Sequence, residues 1–148
     1  MSKYAELWQN EQNKAQRVGQ HEQLSRAQIA ELLQKAVRDN KRWVAQKLVP
    51  MLREAQADLK RITPFSWVEC EPNDRGVIAV RAMFAPSVSD HERVPHLSFV
   101  VHPDGEVHGF LDGNDPHELG KTSQAGILSA ADRLLQHAIA RHASAHRT

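Results

Sequence analysis

The sequence predicts an α+β fold, in which an antiparallel sheet packs against helices from both ends of the chain. Apolar residues recur every three or four positions before residue 62 and again after residue 123, whereas they alternate with polar residues between 65 and 111. The alternating segments follow one another through connections too short for parallel crossovers. Because 148 residues with 41% hydrophobic content suit one core, we expect a single domain over 1–148.

A long helix is predicted over about residues 25–61. Ser25 and Gln28 match a capping box, in which the two side chains satisfy backbone amides of the first helical turn. Pro50 has no backbone N–H and crowds the preceding turn, so a kink is expected near it. Between these points the apolar residues follow at spacings of three and four: Ile29, Leu32, Leu33, Ala36, Val37, Val44 and Leu48.

Residues 1–23 are predicted to be a separate helical segment that packs on the main body, pairs with another chain or frays. The segment is rich in Gln, Asn, Glu and Lys, and its apolar surface is too small to stabilise a helix alone. Tyr4 and Trp8 lie one helical turn apart, which favours docking.

Four antiparallel strands are predicted over about residues 65–111, arranged as two hairpins. In the first hairpin a turn over 72–76 would pair Trp67 with Arg81 and would place Cys70 on the core face. In the second, the short Pro103–Gly105 turn would pair His102 with Glu106, and Val100 with His108.

Two helical elements are predicted after the sheet. Residues 115–118 read Asp-Pro-His-Glu, with the capping residue and the proline typical of a helix start, so a single helical turn is expected there. Apolar residues from Ile127 to Ile139 then predict a C-terminal helix over about 123–142.

Charge is unevenly distributed along the chain. Residues 1–63 carry twelve Lys and Arg against seven Asp and Glu, and residues 64–148 carry seven against eleven, so a net charge of +1 conceals +5 and −4. Helix propensity alone would explain the basic half. Alternatively, the basic helix contacts nucleic-acid phosphates while an aromatic ring stacks on a base. The residues for that role are Lys35, Arg38, Lys41, Arg42, Trp43 and Lys47.

The polar group with the most chemical potential lies on the second predicted hairpin. His102, Glu106 and His108 would share the face away from the core, where two imidazoles and a carboxylate could bind a divalent metal or exchange protons. Their spacing is not specific to metal sites, so a solvated or partner-facing surface is the preferred interpretation. We therefore predict no cofactor, with a divalent metal at these three residues as the open alternative.

The expected function is a non-enzymatic protein-binding or regulatory module. The sequence lacks a coherent nucleophile set and a phosphate-binding loop, and Trp, Arg and His suit a protein-facing surface better than a solvated one. The expected partner-binding residues are Tyr4, Trp8, Trp67, Arg81, His102, Glu106 and His108. A nucleic-acid-binding accessory protein and a metal-dependent enzyme are the alternatives.

Location and assembly are predicted from coarser features. A single cysteine and the lack of an apolar run long enough to cross a bilayer indicate a cytoplasmic protein with no membrane partner. The long helix could also bury its apolar stripe against a second copy, so a homo-oligomer is a further possibility.

Overall fold

The computed structural model describes residues 2–88 and 95–145, and for residues 15–24 it describes the backbone alone. It confirms the α+β class, with five strands where four were predicted. The elements in chain order are helix α1 (Lys3–Trp43), a π-helical turn (Val44–Leu48), helix α2 (Val49–Leu59), strands β1 (Ser66–Glu69), β2 (Ile78–Met83), β3 (Leu97–Val101), β4 (Glu106–Leu111) and β5 (Asp115–Lys121), and helix α3 (Ile127–Ala145).

The chain divides into two compact units, Met1–Lys35 and Ala36–Thr148. The described part of the first unit belongs to α1, which begins at Lys3 and stays helical through Ser25. The predicted helix start at Ser25 is therefore wrong. The residues before it are mostly Glu, Gln, Lys, Arg and Ala, which favour a helix by themselves, so a capping pattern does not create a boundary there.

A π-helical turn stands where the sequence predicts an irregularity near Pro50. In this turn the N–H of Val49 donates to the carbonyl of Val44, five residues back. Pro50 cannot donate an N–H to residue 46, and its ring crowds that carbonyl. A widened turn just before the proline accommodates both effects and joins α1 to α2.

The sheet has the order β1-β2-β3-β4-β5, and every neighbouring pair is antiparallel. One face carries the core, in which residues of the π-helical turn, α2 and α3 pack on alternate residues of the strands. Gly109 of β4 faces α3 so closely that a Cβ there would overlap Cδ2 of Leu134. The buried strand residues of this face are Ile78, Val80, Ala82, Leu97, Phe99, Val101, Val107 and Leu111.

Strand β5 replaces the helical turn predicted at residues 115–118. Asp112 and Gly113 have φ of 50° and 82°, which lets the chain turn back beside β4. Pro116 is compatible with this strand because β5 is at the edge of the sheet, where one side of the backbone needs no partner. The pairing shifts between Val107 and His108, which leaves Leu119 as an extra residue opposite them.

The register of the first hairpin also differs from the prediction. Trp67 pairs with Ala82 and Val68 pairs with Arg81, so the predicted pairing of Trp67 with Arg81 is wrong. Asn73 causes the difference, because its side chain accepts hydrogen bonds from the N–H groups of Arg75 (2.9 Å) and Val77 (3.0 Å).

The strand pairing next to the turn at Asn73 is shifted by one residue from the register predicted for a turn over 72–76. Asn73 N–H donates to the carbonyl of Val77, while Cys70 N–H donates to the carbonyl of Ala79. The two residues between Cys70 and Asn73 therefore lie opposite the single residue Ile78, as in a β-bulge. Trp67 consequently packs against the core, and Cys70 lies beside Ala79 rather than on the core face.

The second hairpin has the predicted register. Val100 pairs with His108 and Ser98 pairs with Phe110. At its turn, the His102 N–H donates to the Glu106 carbonyl over 2.9 Å. The three-residue turn therefore places the two histidines and the glutamate as the sequence indicates.

Candidate functional site

The face of the sheet opposite the core forms a surface that we call the open sheet face. In the unit 36–148, the helices pack on the other face. Strand register arranges the open sheet face in rows that cross the sheet. The first row holds Val68, Arg81, Ser98, Phe110 and Pro116; the middle row holds Cys70, Ala79, Val100, His108 and Glu118; the row at the second turn holds His102, Glu106 and Lys121. Beyond the first row, at the β1 start, Ser66 pairs with Met83, and both residues are buried.

The composition of the rows changes along the strands. In the first row, Arg81 stands between Val68, which is 41% exposed, and Ser98, with half-buried Phe110 beyond. The last row is polar. An antiparallel sheet with one face in water usually carries mainly polar residues on that face. The first row therefore combines apolar area with a guanidinium, which is typical of a protein interface.

The two histidines of the open sheet face contact one another. The ring centroids of His102 and His108 are 4.9 Å apart, with the rings edge to face. Nε2 of His108 lies 3.8 Å from a carboxylate oxygen of Glu106. The structure thus brings together the three residues that the sequence places on this hairpin, and Arg81 shares their face.

Asn40 anchors this hairpin to the end of α1, and sequence reasoning missed it. Its side chain is buried, and its Nδ2 donates to the carbonyl of His102 over 3.0 Å. The same carbonyl accepts from the N–H of Gly105. The sequence could have indicated Asn40 through its spacing, because it lies three residues after Val37 and four before Val44, where an apolar residue is expected. An amide buried at such a position needs a hydrogen-bond partner.

A small cavity opens beside His108. It has a volume of about 200 Å³, and Glu106, His108, Glu118, Lys121 and Gln124 line it together with Gly120. Its side chains can accept and donate hydrogen bonds to a partner's polar groups. Within residues 2–88 and 95–145, however, no three His, Cys, Asp or Glu side chains lie close enough together to hold a metal ion.

The residues expected to contact nucleic acid are placed along α1 and the π-helical turn. Lys35, Arg38 and Arg42 are exposed. Trp43 is partly buried and packs against the core, which restricts it as a stacking platform. Lys41 is 3.3 Å from a carboxylate oxygen of Glu71, and Lys47 is exposed.

A charged network lies at the β4–β5 turn and on α3. Arg141 contacts Asp112 at 3.2 Å and Asp115 at 2.7 Å, and His117 approaches Asp115 to 3.2 Å. The hydrogen bond from Arg141, and then His117, lower the pKa of Asp115, while Asp115 and Asp112 raise the pKa of Arg141. Because all these side chains are partly exposed and paired, the network joins α3 to the hairpin rather than forming a reactive centre.

The aromatic residues predicted near the start of the chain are accessible. Tyr4 and Trp8 of α1 are 81% and 68% exposed. None of the helices that the structure describes is long and apolar enough to cross a membrane.

Comparison of the chain with protein-family profiles, with curated proteins and with solved structures finds no match.

Proposed function

We propose that the protein is a non-enzymatic protein-binding module whose docking surface is the open sheet face. The observation that carries the proposal is the row in which Arg81 lies between Val68 and Ser98, with Phe110 next to Ser98. Interfaces concentrate binding energy in aromatic and arginine side chains that a ring of other contacts shields from water. Val68 lies next to Arg81 and Phe110 lies beyond Ser98, so both apolar side chains would help to exclude water around the guanidinium when a partner binds.

The chemistry of the partner follows from the residues on the face. Arg81 can bind a carboxylate through two parallel hydrogen bonds, and Phe110 and Val68 provide apolar area on both sides of it. His102 and His108 offer ring nitrogens at the other end of the face. We therefore expect the partner surface to present an acidic residue surrounded by apolar side chains. Polar groups should lie on one side of this apolar area.

Affinity capture tests the proposal. The wild-type chain is immobilised beside an Arg81→Ala/Phe110→Ser variant and an Arg75→Ala control, in which an exposed arginine of the first turn is removed. We expect a stoichiometric protein partner that the wild type and the control retain and the face variant loses, as quantified by mass spectrometry. A partner that all three retain equally, or no stoichiometric partner, would contradict the proposal. Thermal unfolding of each variant verifies that the fold persists.

Nucleic-acid binding is a second candidate because one observation favours it. Arg38 and Arg42 of the unit 36–148 are exposed and lie four residues apart along α1, so they share one side of the helix. Phosphate contacts of this kind weaken steeply as salt rises. In fluorescence anisotropy at low salt, we expect oligonucleotide binding that an Arg38→Glu/Arg42→Glu variant abolishes. The absence of binding by the wild type at about 50 mM salt removes this candidate.

The third hypothesis, a metal-dependent enzyme at His102, Glu106 and His108, stays a prediction from the sequence. Zn²⁺ titration of the wild type and of a His102→Ala/His108→Ala variant tests it. Stronger binding by the wild type would support a metal site, and equal weak binding would exclude it.

A further inference from the structure

The first part of α1 exposes an unusual amount of apolar surface. Of the seven large hydrophobic side chains described as exposed, five lie on this helix: Tyr4, Leu7, Trp8, Ile29 and Leu32. Ile29 and Leu32 are 63% and 65% exposed. Helices in water derive most of their stability from packing an apolar face against another surface. A covering surface for this face would therefore stabilise the helix.

The unit 36–148 contains a groove of complementary character between α2 and α3. Its volume is about 530 Å³. Met51, Ala55, Leu59, Leu128, Leu135 and Ile139 supply its apolar side chains, and its acidic side chains are Glu54, Asp58 and Asp132. Among the described residues that line it, none is a lysine, arginine or histidine. The groove therefore favours an apolar ridge with positive charges beside it.

Exposed Ile29 and Leu32 on α1 form such an apolar ridge with positive charges beside it. Arg26 lies three residues before Ile29, and Lys35 lies three residues after Leu32; both are exposed. At 3.6 residues per turn, the two cations fall on opposite sides of the ridge formed by Ile29 and Leu32. Glu31 falls on the far side of the helix from this ridge. An amphipathic helix of this kind is a recognised occupant of apolar grooves.

We propose that the ridge of Ile29 and Leu32 from one copy of the chain binds the α2–α3 groove of a second copy. The charge pattern selects this occupant, because Arg26 and Lys35 can face Glu54, Asp58 and Asp132 across the apolar contact. Since each chain carries both a ridge and a groove, two copies can exchange the contact reciprocally and close as a symmetric dimer. The proposal uses no residue of the open sheet face and is independent of the proposed function.

Sedimentation velocity at increasing concentrations tests the dimer with two variants and matched controls. Leu32→Asp places an acid on the ridge, and Gln34→Asp adds the same charge to an exposed site away from it. Glu54→Lys/Asp58→Lys reverses the charge of the groove, and Glu69→Lys/Asp74→Lys makes the same change at exposed positions of the first hairpin. We expect the ridge and groove variants to raise the dimer dissociation constant at least about tenfold. Both controls should match the wild type.

Mixing the two variants decides between modes of assembly. A Leu32→Asp chain retains an intact groove, and a Glu54→Lys/Asp58→Lys chain retains an intact ridge. Their mixture should therefore form a heterodimer at concentrations at which each variant alone is monomeric. Three results would overturn the proposal: a wild type that is monomeric throughout the micromolar range, a groove variant that dimerises like the wild type, or a mixture that stays monomeric. Circular dichroism confirms that each variant keeps its helix content.

Discussion

The two faces of the sheet share the same strands but differ in how far their side chains are buried. On the inner face, Val80, Phe99 and Val107 are completely buried and pack with residues of the helices in one cluster. On the open sheet face, Arg81, Val100 and Phe110 alternate with them but keep part of their surface in water. Because successive strand residues point to opposite sides, the residues that stabilise the core and the residues proposed to bind a partner occupy alternate positions. Substitutions on one face should therefore leave the other property largely intact.

The largest expected effect comes from matched phenylalanines on the two faces. Phe99→Ala on the inner face should reduce the free energy of unfolding by about 3–5 kcal/mol, because it removes a buried ring and leaves a cavity. Phe110→Ala on the open sheet face should cost less than half as much, because the ring already contacts water. Chemical denaturation of both variants measures the difference. Equal losses would show that the open sheet face is part of the structural core.

A second test adds volume to the inner face. Gly109→Ala would place a methyl group against Leu134 of α3, and we expect a loss of about 1–3 kcal/mol from overpacking. Gly126→Ala is the control, because no atom lies within 4 Å of the added Cβ there; we expect a change within about 1 kcal/mol. If Gly109→Ala matched this control, α3 would not be packed as tightly on β4 as the structure shows.

A third test concerns the link between the helix side and the open sheet face. Asn40→Ala removes the hydrogen bond to the His102 carbonyl, and we expect a loss of about 1 kcal/mol because that carbonyl keeps its bond from Gly105. Exposed Asn10 of the same helix provides the control, Asn10→Ala. Backbone amide shifts of residues 102–106 should move in the first variant and stay in place in the second. Unchanged shifts at the turn would contradict the anchoring role.

The smallest effect is electrostatic and depends on pH. The pKa of Asp115 is lowered by Arg141 and then by His117, so its ionised form stabilises the fold at pH values above its unfolded pKa. This contribution is lost as the pH falls through the lower, folded pKa. Arg141→Gln should therefore lower Tm slightly at neutral pH, and the difference from the wild type should shrink as the pH falls through the folded pKa of Asp115. A difference that stays constant over this range would show that Arg141 acts through packing alone.

The sequence predicted the second hairpin and not the first because the two turns close differently. Pro103–Gly105 is a short turn, and apolar and polar residues alternate regularly in the strands on both sides of it. The positions of His102, Glu106 and His108 therefore follow from counting residues. In the first hairpin, the side chain of Asn73 binds two backbone N–H groups and closes a tighter turn. A one-residue shift then moved Trp67 to the core side, and residue counting could not detect it.

Strand β5 and the start of α1 were missed for related reasons. The segment 115–121 lacks apolar alternation, and its Asp-Pro-His-Glu start is chemically the same as a helix cap, so only its pairing with β4 distinguishes the two. In α1, the capping pattern at Ser25 competes with helix-forming residues on both sides. Ile29 and Leu32 belong to the apolar stripe predicted for the long helix, yet they are exposed; periodicity alone does not identify the surface against which a helix packs.

The edge formed by β5 limits how the molecule can polymerise. An incoming strand would need consecutive donors and acceptors from β5, but Pro116 supplies no donor and the extra residue Leu119 breaks the repeat. Cross-β growth from this border is thereby discouraged. In a concentrated solution of the protein, β5 should accordingly not act as the strand that nucleates fibrils.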